Sequence, residues 1–507
     1  MLLQQGDIIP AALCLVIGGS LASGLYLFVY NIFFHPLAKF RGPLAFRSPV
    51  GYYWKGYIEV IRGRSFCHYL KILHEKYGDV VRIGPNELHF SNPQAYHDIH
   101  NSKNRWDKDA RLYKTFADGA SLDMTTYAEA KARKDVLNRS FSTTAIESAE
   151  TLLTETMQDL CAAFDRQSKA GKPADIMYAF RCMSLDVITT FCFGKAIHAV
   201  DAPDFKHPLP AALDASLPAF TAFKYARWLQ KLVMDCPPKL SKIISPATAA
   251  VVDLQQMLLR QISELTDNPE KLNLLPHNMT IFHRLLDPEA HRNKTIPAAD
   301  SLYAEAQVLT FAGADTVGVA LMTAVFHLLK KPSTLVRLKQ ELNAAWPSLN
   351  QAAPRLRELE NLPYLNAVIK ECLRVSTGVT SGLPRVVPRS GATVAGYPVP
   401  AGAIVSCGST FVHFNPAIFP SPEKFVPERW LESPELDNWL VAFSRGPRSC
   451  LGINLAWAEL RLALSHVCRK FEMELAEPSP PELKYYDAFL PFFTSEHPRV
   501  NMTTVEG

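Results

Sequence analysis

From Ile8 to Phe34 nearly every residue is apolar or small, and no charged side chain occurs between Asp7 and His35. About 20 such residues in helical form cross the hydrocarbon core of a bilayer, so the pattern predicts one N-terminal transmembrane helix within residues 1–34. The stretch has no basic n-region and exceeds the roughly 7–15 apolar residues of a secretory h-region, which favours an uncleaved anchor over a signal peptide. Lys39, Arg41 and Arg47 follow it. By the positive-inside rule the remaining chain then lies in the cytosol. There the Asn-x-Ser/Thr triplets at Asn138, Asn278, Asn293 and Asn501 stay unmodified.

Prolines punctuate residues 35–49, which read as a stiff connector poor in regular structure. Short β patterns come next, Asp79–Gly84 and Glu87–Phe90, with Gly84-Pro85-Asn86 as the turn of a small hairpin. From about Ala128 to Lys331 the periodicity is mostly helical. Its most apolar stretch, about Pro297 to Lys331, predicts a helix some 50 Å long at about 1.5 Å per residue. Asp315 sits in the middle of that stretch and would be costly in lipid, so a buried core helix is expected there and not a second span. After Gly391 the pattern changes to short strands around Thr393–Ala395 and Ala403–Ser406. A proline-rich meander through Phe425–Trp430 follows, then a last helix to about Phe471. The expected fold is mainly α with small β-sheets, and no linker divides residues 50–507.

Composition narrows the function classes. The chain has 507 residues, 48% hydrophobic and 20% charged, with a net charge of +4. That balance, with no strongly basic segment, gives no sign of nucleic-acid binding. Ten cysteines are scattered without a Cys-x-x-Cys pair, which argues against both a zinc site and a secreted disulfide framework.

One cysteine stands apart. Phe443-Ser444-Arg445-Gly446-Pro447-Arg448-Ser449-Cys450-Leu451-Gly452 precedes an apolar helix. A cysteine at a helix N-terminus meets unpaired N–H groups and the positive end of the helix dipole, both of which favour a thiolate. Gly446 and Gly452 let the backbone turn tightly beside a flat ligand, Phe443 can cover the sulfur, and Arg448 can reach an anionic edge. A buried, inert cysteine is the competing reading. Within the long helix, Phe311-Ala312-Gly313-Ala314-Asp315-Thr316 offers small residues beside which a flat cofactor can lie. Asp315 there is an ionisable proton source, and the Thr316 hydroxyl can turn to the Ala312 carbonyl and open room for water or dioxygen.

The spacing Phe-x-x-Gly-x-Arg-x-Cys-x-Gly resembles the haem-binding signature of the cytochrome P-450 family, the haem-thiolate monooxygenases, and every fixed position is filled. The resemblance implies the fold of that family, with an anchor over residues 1–34, a hinge over 35–49 and a haem-thiolate catalytic domain over 50–507. It implies haem b with Cys450 as axial ligand and metal-binding residue, and Asp315 with Thr316 as the proton-delivering pair. Arg385 and Arg133 match positions of propionate-binding basic residues, although Glu129 stands where the family has Trp or His. Glu371, Arg374 and Arg429 match its structural triad. Phe311, Val379, Leu383 and Phe489 are candidate substrate contacts.

By the same resemblance the partners are dioxygen, an apolar small molecule and membrane lipid. Electrons would come from NADPH-cytochrome P-450 reductase, with cytochrome b5 as an optional second donor, since no length remains for a fused flavin domain. Lys131, Lys134, Arg139 and Arg445 are candidates for the reductase-docking face. The location implied is the endoplasmic reticulum membrane. Arg82–Leu88 and the stretch Leu383–Pro388 look like the fungal secondary-metabolite branch, for which a terpenoid or polyketide intermediate is the expected substrate. Two rivals stay open: a haem-thiolate isomerase, dehydratase or peroxygenase that uses no reductase, and a non-catalytic membrane protein that binds haem or lipid.

Overall fold

The computed structural model describes residues 5–268, 270–271 and 280–505, with side chains from residue 13 onward. The triplet at Asn278 lies outside the described residues. Helix α1 (Gln5–Val29) runs on through a wider turn, Tyr30–Phe34. Leu13–Phe34 is long and apolar enough to cross a membrane, and its most apolar window packs against nothing. The connector is less irregular than its prolines suggest. Leu44–Arg47 forms one helical turn, and the Arg47 guanidinium donates to the carbonyls of Ile32 (3.0 Å) and Ala38 (3.3 Å).

Strands β1 (Val80–Gly84) and β2 (Glu87–Phe90) pair antiparallel around the Pro85-Asn86 turn. They belong to a five-stranded sheet completed by β3 (Asp107–Lys108), β5 (Arg385–Val386) and β8 (Ile404–Ser406), in the order β1-β2-β8-β5-β3. Only β2 and β8 within it run parallel. Three smaller sheets join β4 (Ala174–Asp175) to β12 (Arg499–Thr504) and β9 (Phe471–Leu475), β6 (Ala392–Val394) to β7 (Tyr397–Val399), and β10 (Tyr485–Ala488) to β11 (Leu490–Phe493).

Helices dominate the rest. Those that matter for the site are α2 (Tyr127–Leu137), α3 (Ile176–Phe193), α4 (Pro208–Phe223), α5 (Arg227–Met234), α6 (Pro238–Ile244), α7 (Ala299–Lys330), α8 (Pro363–Ser376) and α9 (Ile453–Lys470). Helix α7 is the expected long helix, and most of its apolar window is buried inside the protein. Helix α3, capped at its start by Asp175 and at its end by left-handed Gly194, lies along α7. Two glycines make this approach possible. A β-carbon on Gly313 would stand 2.6 Å from Ile188 Cγ1, and one on Gly318 would stand 2.6 Å from Arg181 Cγ. The missing side chain of Gly313 thus faces α3. Its absence serves helix packing, and Gly313 also lines a cavity beside Ala312, where a flat cofactor is expected.

The meander is clamped by charge. Glu371, fully buried on α8, accepts from Arg374 Nε (2.9 Å) and Nη2 (2.8 Å), from Trp430 Nε1 (2.9 Å) and from the Val426 N–H (2.8 Å). Arg429 completes the set, with Nε 3.3 Å from the same carboxylate. Arg374 spends its other donors on the carbonyls of His413, Pro422 and Lys424. Glu371, Arg374 and Arg429 therefore meet at one point.

Candidate active site

A cavity of about 1320 Å³ lies between α7 and the loop that carries Cys450, walled elsewhere by α2, α3, α4 and the β10–β11 tip. Its lining is chiefly apolar, as burial of a large flat cofactor and an apolar ligand requires. Cys450 opens into it. The loop turns at Gly446, whose φ of +72° and whose contact with the His100 carbonyl, 2.6 Å from where a β-carbon would stand, both demand glycine. The Cys450 N–H donates to the Phe443 carbonyl at 2.8 Å, closing the loop.

Gly452 also lines the cavity but makes no tight turn: its φ is an ordinary −86°, and a β-carbon there would meet only Phe141 at 3.8 Å. Its contribution is the N–H, which bonds the Cys450 sulfur. That bond and the Lys134 charge favour the thiolate, yet burial outweighs them and pushes the thiol up. A metal cation bound there would hold the sulfur ionised.

Opposite the sulfur, α7 presents Ala312 to the cavity and Thr316 beside it. The Thr316 hydroxyl donates to the Ala312 carbonyl at 3.0 Å, as its spacing predicts. Asp315 turns away toward α3. Arg181, 1% exposed, touches it and also donates to Asp214 on α4 at 2.8 Å. Burial raises the Asp315 carboxyl, opposed by Arg181 and reinforced by Asp214. The carboxyl is thus pushed toward protonation by burial and held toward the charged form by the Arg181 guanidinium. Arg181 was not foreseen. The signal existed: a lone arginine in an otherwise apolar helix must be buried beside a counter-charge.

The cationic wall is also rearranged. Arg133 faces away from the cavity, bound to Glu305 (2.9 Å) and Ser301 (2.7 Å) and buried there. The next residue, Lys134, lines the cavity and donates to the Ser449 carbonyl at 2.8 Å. Ala130, four residues earlier, lines it as well, so the cavity-facing register is Ala130–Lys134 and the assignment of Arg133 to a cofactor is overturned. Glu129 points outward and accepts from Thr126 Oγ1 at 2.6 Å, serving the start of α2. For the same reason Lys134 is no part of an outer docking face. Lys131 pairs with Asp135, while Arg139 stays exposed and unpaired among the described residues.

Arg385 and Arg448 sit as expected on the cavity wall. Arg385 donates to the Tyr113 hydroxyl at 2.9 Å, and Arg448 to the carbonyls of Thr126 and Met124. Lys108, which sequence reasoning missed, joins them with its ammonium 4.2 Å from the Tyr113 ring centre. None of Lys108, Lys134, Arg385 and Arg448 forms an ion pair with a carboxylate among the described residues. Burial and then the neighbouring Arg385 push Arg448 down to about 10, and burial with both arginines lowers Lys108 further. Four cations line this wall without a carboxylate partner, Lys108 and Arg385 buried and Lys134 and Arg448 half-buried, and such a cluster calls for an anion; the two propionates of haem supply that charge. The residues present fit the group: a sulfur ligand, a cationic edge and apolar walls between.

Comparison with known proteins agrees. The cytochrome P-450 family model matches residues 47–496. The chain belongs to the cytochrome P-450 family, the haem-thiolate monooxygenases. Relatives from fungi cover nearly its whole length. It is 34% identical to the cytochrome P-450 monooxygenase macH of Penicillium terrestre across 97% of both chains. It is 31% identical to flvC of Aspergillus flavus across 93% of both, and 32% identical to sdnE of Sordaria araneosa across 92% of both, each a cytochrome P-450 monooxygenase by name.

Proposed function

We propose that this chain is a membrane-anchored monooxygenase that uses dioxygen and NADPH-derived electrons to oxidise an apolar small molecule, a secondary-metabolite intermediate of terpenoid or polyketide type. The observation that carries this reading is convergence on one cavity: Cys450, four unneutralised cations, Thr316 and Asp315 all line it. In this reading Cys450 would ligate the haem iron, and Lys108, Lys134, Arg385 and Arg448 would hold the propionates. When bound, haem supplies the dioxygen chemistry.

The chain's own residues do the rest. Phe443 and Leu451 shield the sulfur from water. Phe311, Val379, Leu383 and Phe489 pack the substrate's apolar surface, and all four line the cavity. Thr316 orients a water, and Asp315 passes it a proton while Arg181 and Asp214 hold the carboxyl in place.

Membrane attachment is supported by α1 and by a second apolar surface. Helices α5 and α6 expose Trp228, Leu232, Ile243 and Ile244. Leu232, Leu240 and Ile244 also line the cavity, so its mouth opens where the apolar surface lies. Lipid-dissolved substrate would reach the site without crossing water. Of the candidate docking residues, Arg139 is exposed without a carboxylate partner among the described residues, and an acidic reductase on the cytosolic side of the endoplasmic reticulum would meet it there.

Co-expression with a reductase, and with neighbouring biosynthetic genes added in turn, tests the function. NADPH consumption that depends on a substrate, with one atom of labelled dioxygen in the product, is expected. Turnover without NADPH would instead establish an isomerase or peroxygenase. Thr316→Ala is expected to keep haem but to lower the ratio of product formed to NADPH consumed, the difference appearing as hydrogen peroxide. Unchanged coupling would remove Thr316 from proton delivery.

A further inference from the structure

The tip of the β10–β11 hairpin is built in an unusual way. Its strands pair Asp487 with Pro491 and Ala488 with Leu490, which leaves Phe489 alone at the turn. Phe489 has a φ of +75°, a conformation that a β-carbon disfavours and that glycine or asparagine usually fills. Such a tip ordinarily sits in water. Here the phenyl ring enters the cavity and lies 4.7 Å from the ring of Phe116, which in turn stacks on Phe220 of α4 at 6.1 Å.

The strained backbone is held from both sides. Oδ1 of Asp487 accepts the Phe489 N–H at 3.0 Å, and the Phe489 carbonyl accepts the Thr380 N–H at 3.0 Å. The same Oδ1 also accepts the hydroxyls of Thr380 (2.7 Å) and Ser381 (2.6 Å), and the Asp487 N–H donates to Ser65 Oγ at 3.0 Å. Asp487 is 5% exposed and forms no ion pair among the described residues. A buried carboxylate spent on two hydroxyls and one N–H fixes geometry; a neutral turn would close the hairpin at lower cost. Backbone strain that the surroundings over-determine is found where a side chain must point in one direction.

We infer that Asp487 is a positioning residue, that it holds Phe489 as a rigid plug against Phe116, and that this plug limits how bulky a molecule reaches the Cys450 sulfur. The substrate this selects is slender or flat in the part presented for oxidation. The inference rests on the haem-thiolate reading, and its test separates the two.

Purified holoenzyme is titrated with imidazole and with N-tritylimidazole, both of which ligate haem iron and shift its Soret band. Phe489→Ala and Asp487→Ala are each expected to lower the ratio of the trityl Kd to the imidazole Kd by about tenfold, equivalent to about 1.4 kcal/mol. Asp487→Asn keeps an acceptor at the Oδ1 position and is expected to retain the wild-type ratio. The double variant Asp487→Ala/Phe489→Ala should match Phe489→Ala alone. If Asp487→Ala loads no haem, Thr380→Val removes the hydroxyl and is expected to move the ratio the same way.

An unchanged ratio in Phe489→Ala overturns the plug. A lowered ratio in Phe489→Ala with an unchanged one in Asp487→Ala, or in Thr380→Val where that variant replaces it, overturns the positioning role. So does a parallel change in both Kd values, which a merely structural loss would give. A wild-type protein whose Soret band responds to neither probe defeats the haem reading itself.

Discussion

Replacing Glu371 by alanine is expected to leave no haem-loaded protein. The carboxylate is fully buried, accepts from Arg374, the Trp430 indole and the Val426 N–H, and is ion-paired with Arg429, tying α8 to the meander that precedes the cysteine loop. Removing it strands Arg374 and Arg429 as buried, unpaired cations. Breaking such a pair costs about 3–5 kcal/mol, a large part of the total stability of most domains. Expression of Glu371→Ala should give apoprotein or aggregate, measured as the ratio of haem absorbance to total protein. Glu371→Gln, which keeps acceptors and loses charge, should be intermediate. A variant that loads haem as the parent does would show that the clamp does not support the loop.

The second large effect belongs to Arg181. It is buried between Asp315 and Asp214, so Arg181→Met leaves the Asp315 carboxyl in the core without a counter-charge. Burial already raises that carboxyl, and loss of the guanidinium raises it further. The sign follows from linkage: a carboxyl whose folded value is raised binds protons more tightly when folded, so stability falls as pH rises through the interval between its unfolded and folded values. Arg181→Met is therefore expected to be destabilised by about 3–5 kcal/mol near neutrality and to recover toward the parent as pH falls. Thermal unfolding of both proteins at mildly acidic and neutral pH measures this. A deficit independent of pH would mean that Asp315 is not the group left uncompensated.

Legibility in the sequence followed the distance over which each feature is decided. The hairpin at Pro85-Asn86, the anchor pattern and the Cys450 loop are written in adjacent residues, and the structure has them where the pattern puts them. Arg133 and Lys134 were not separable in that way. Neighbours on a helix differ by about 100° in direction, and both are basic, so only Glu305, packed from α7, shows which one faces inward. Gly313 was singled out for the cavity it lines, but its packing role was hidden, because the atom that forbids its side chain belongs to Ile188, 125 positions earlier. Lys108 lies between two aspartates, where a solvated charge is the natural reading, and it is the fold that drives its ammonium against Tyr113. The strained tip at Phe489 left no trace at all, since a left-handed phenylalanine cannot be told from an extended one by its neighbours.

The central claim is that the Cys450 sulfur ligates haem iron as a thiolate in a cavity edged by cations. Membranes from cells expressing the chain, reduced and then treated with carbon monoxide, test it most directly. The account predicts the strongly red-shifted Soret band of thiolate ligation in the parent and its loss in Cys450→Ala. Absence of that band in a parent protein that has bound haem, or its persistence in Cys450→Ala, would contradict it.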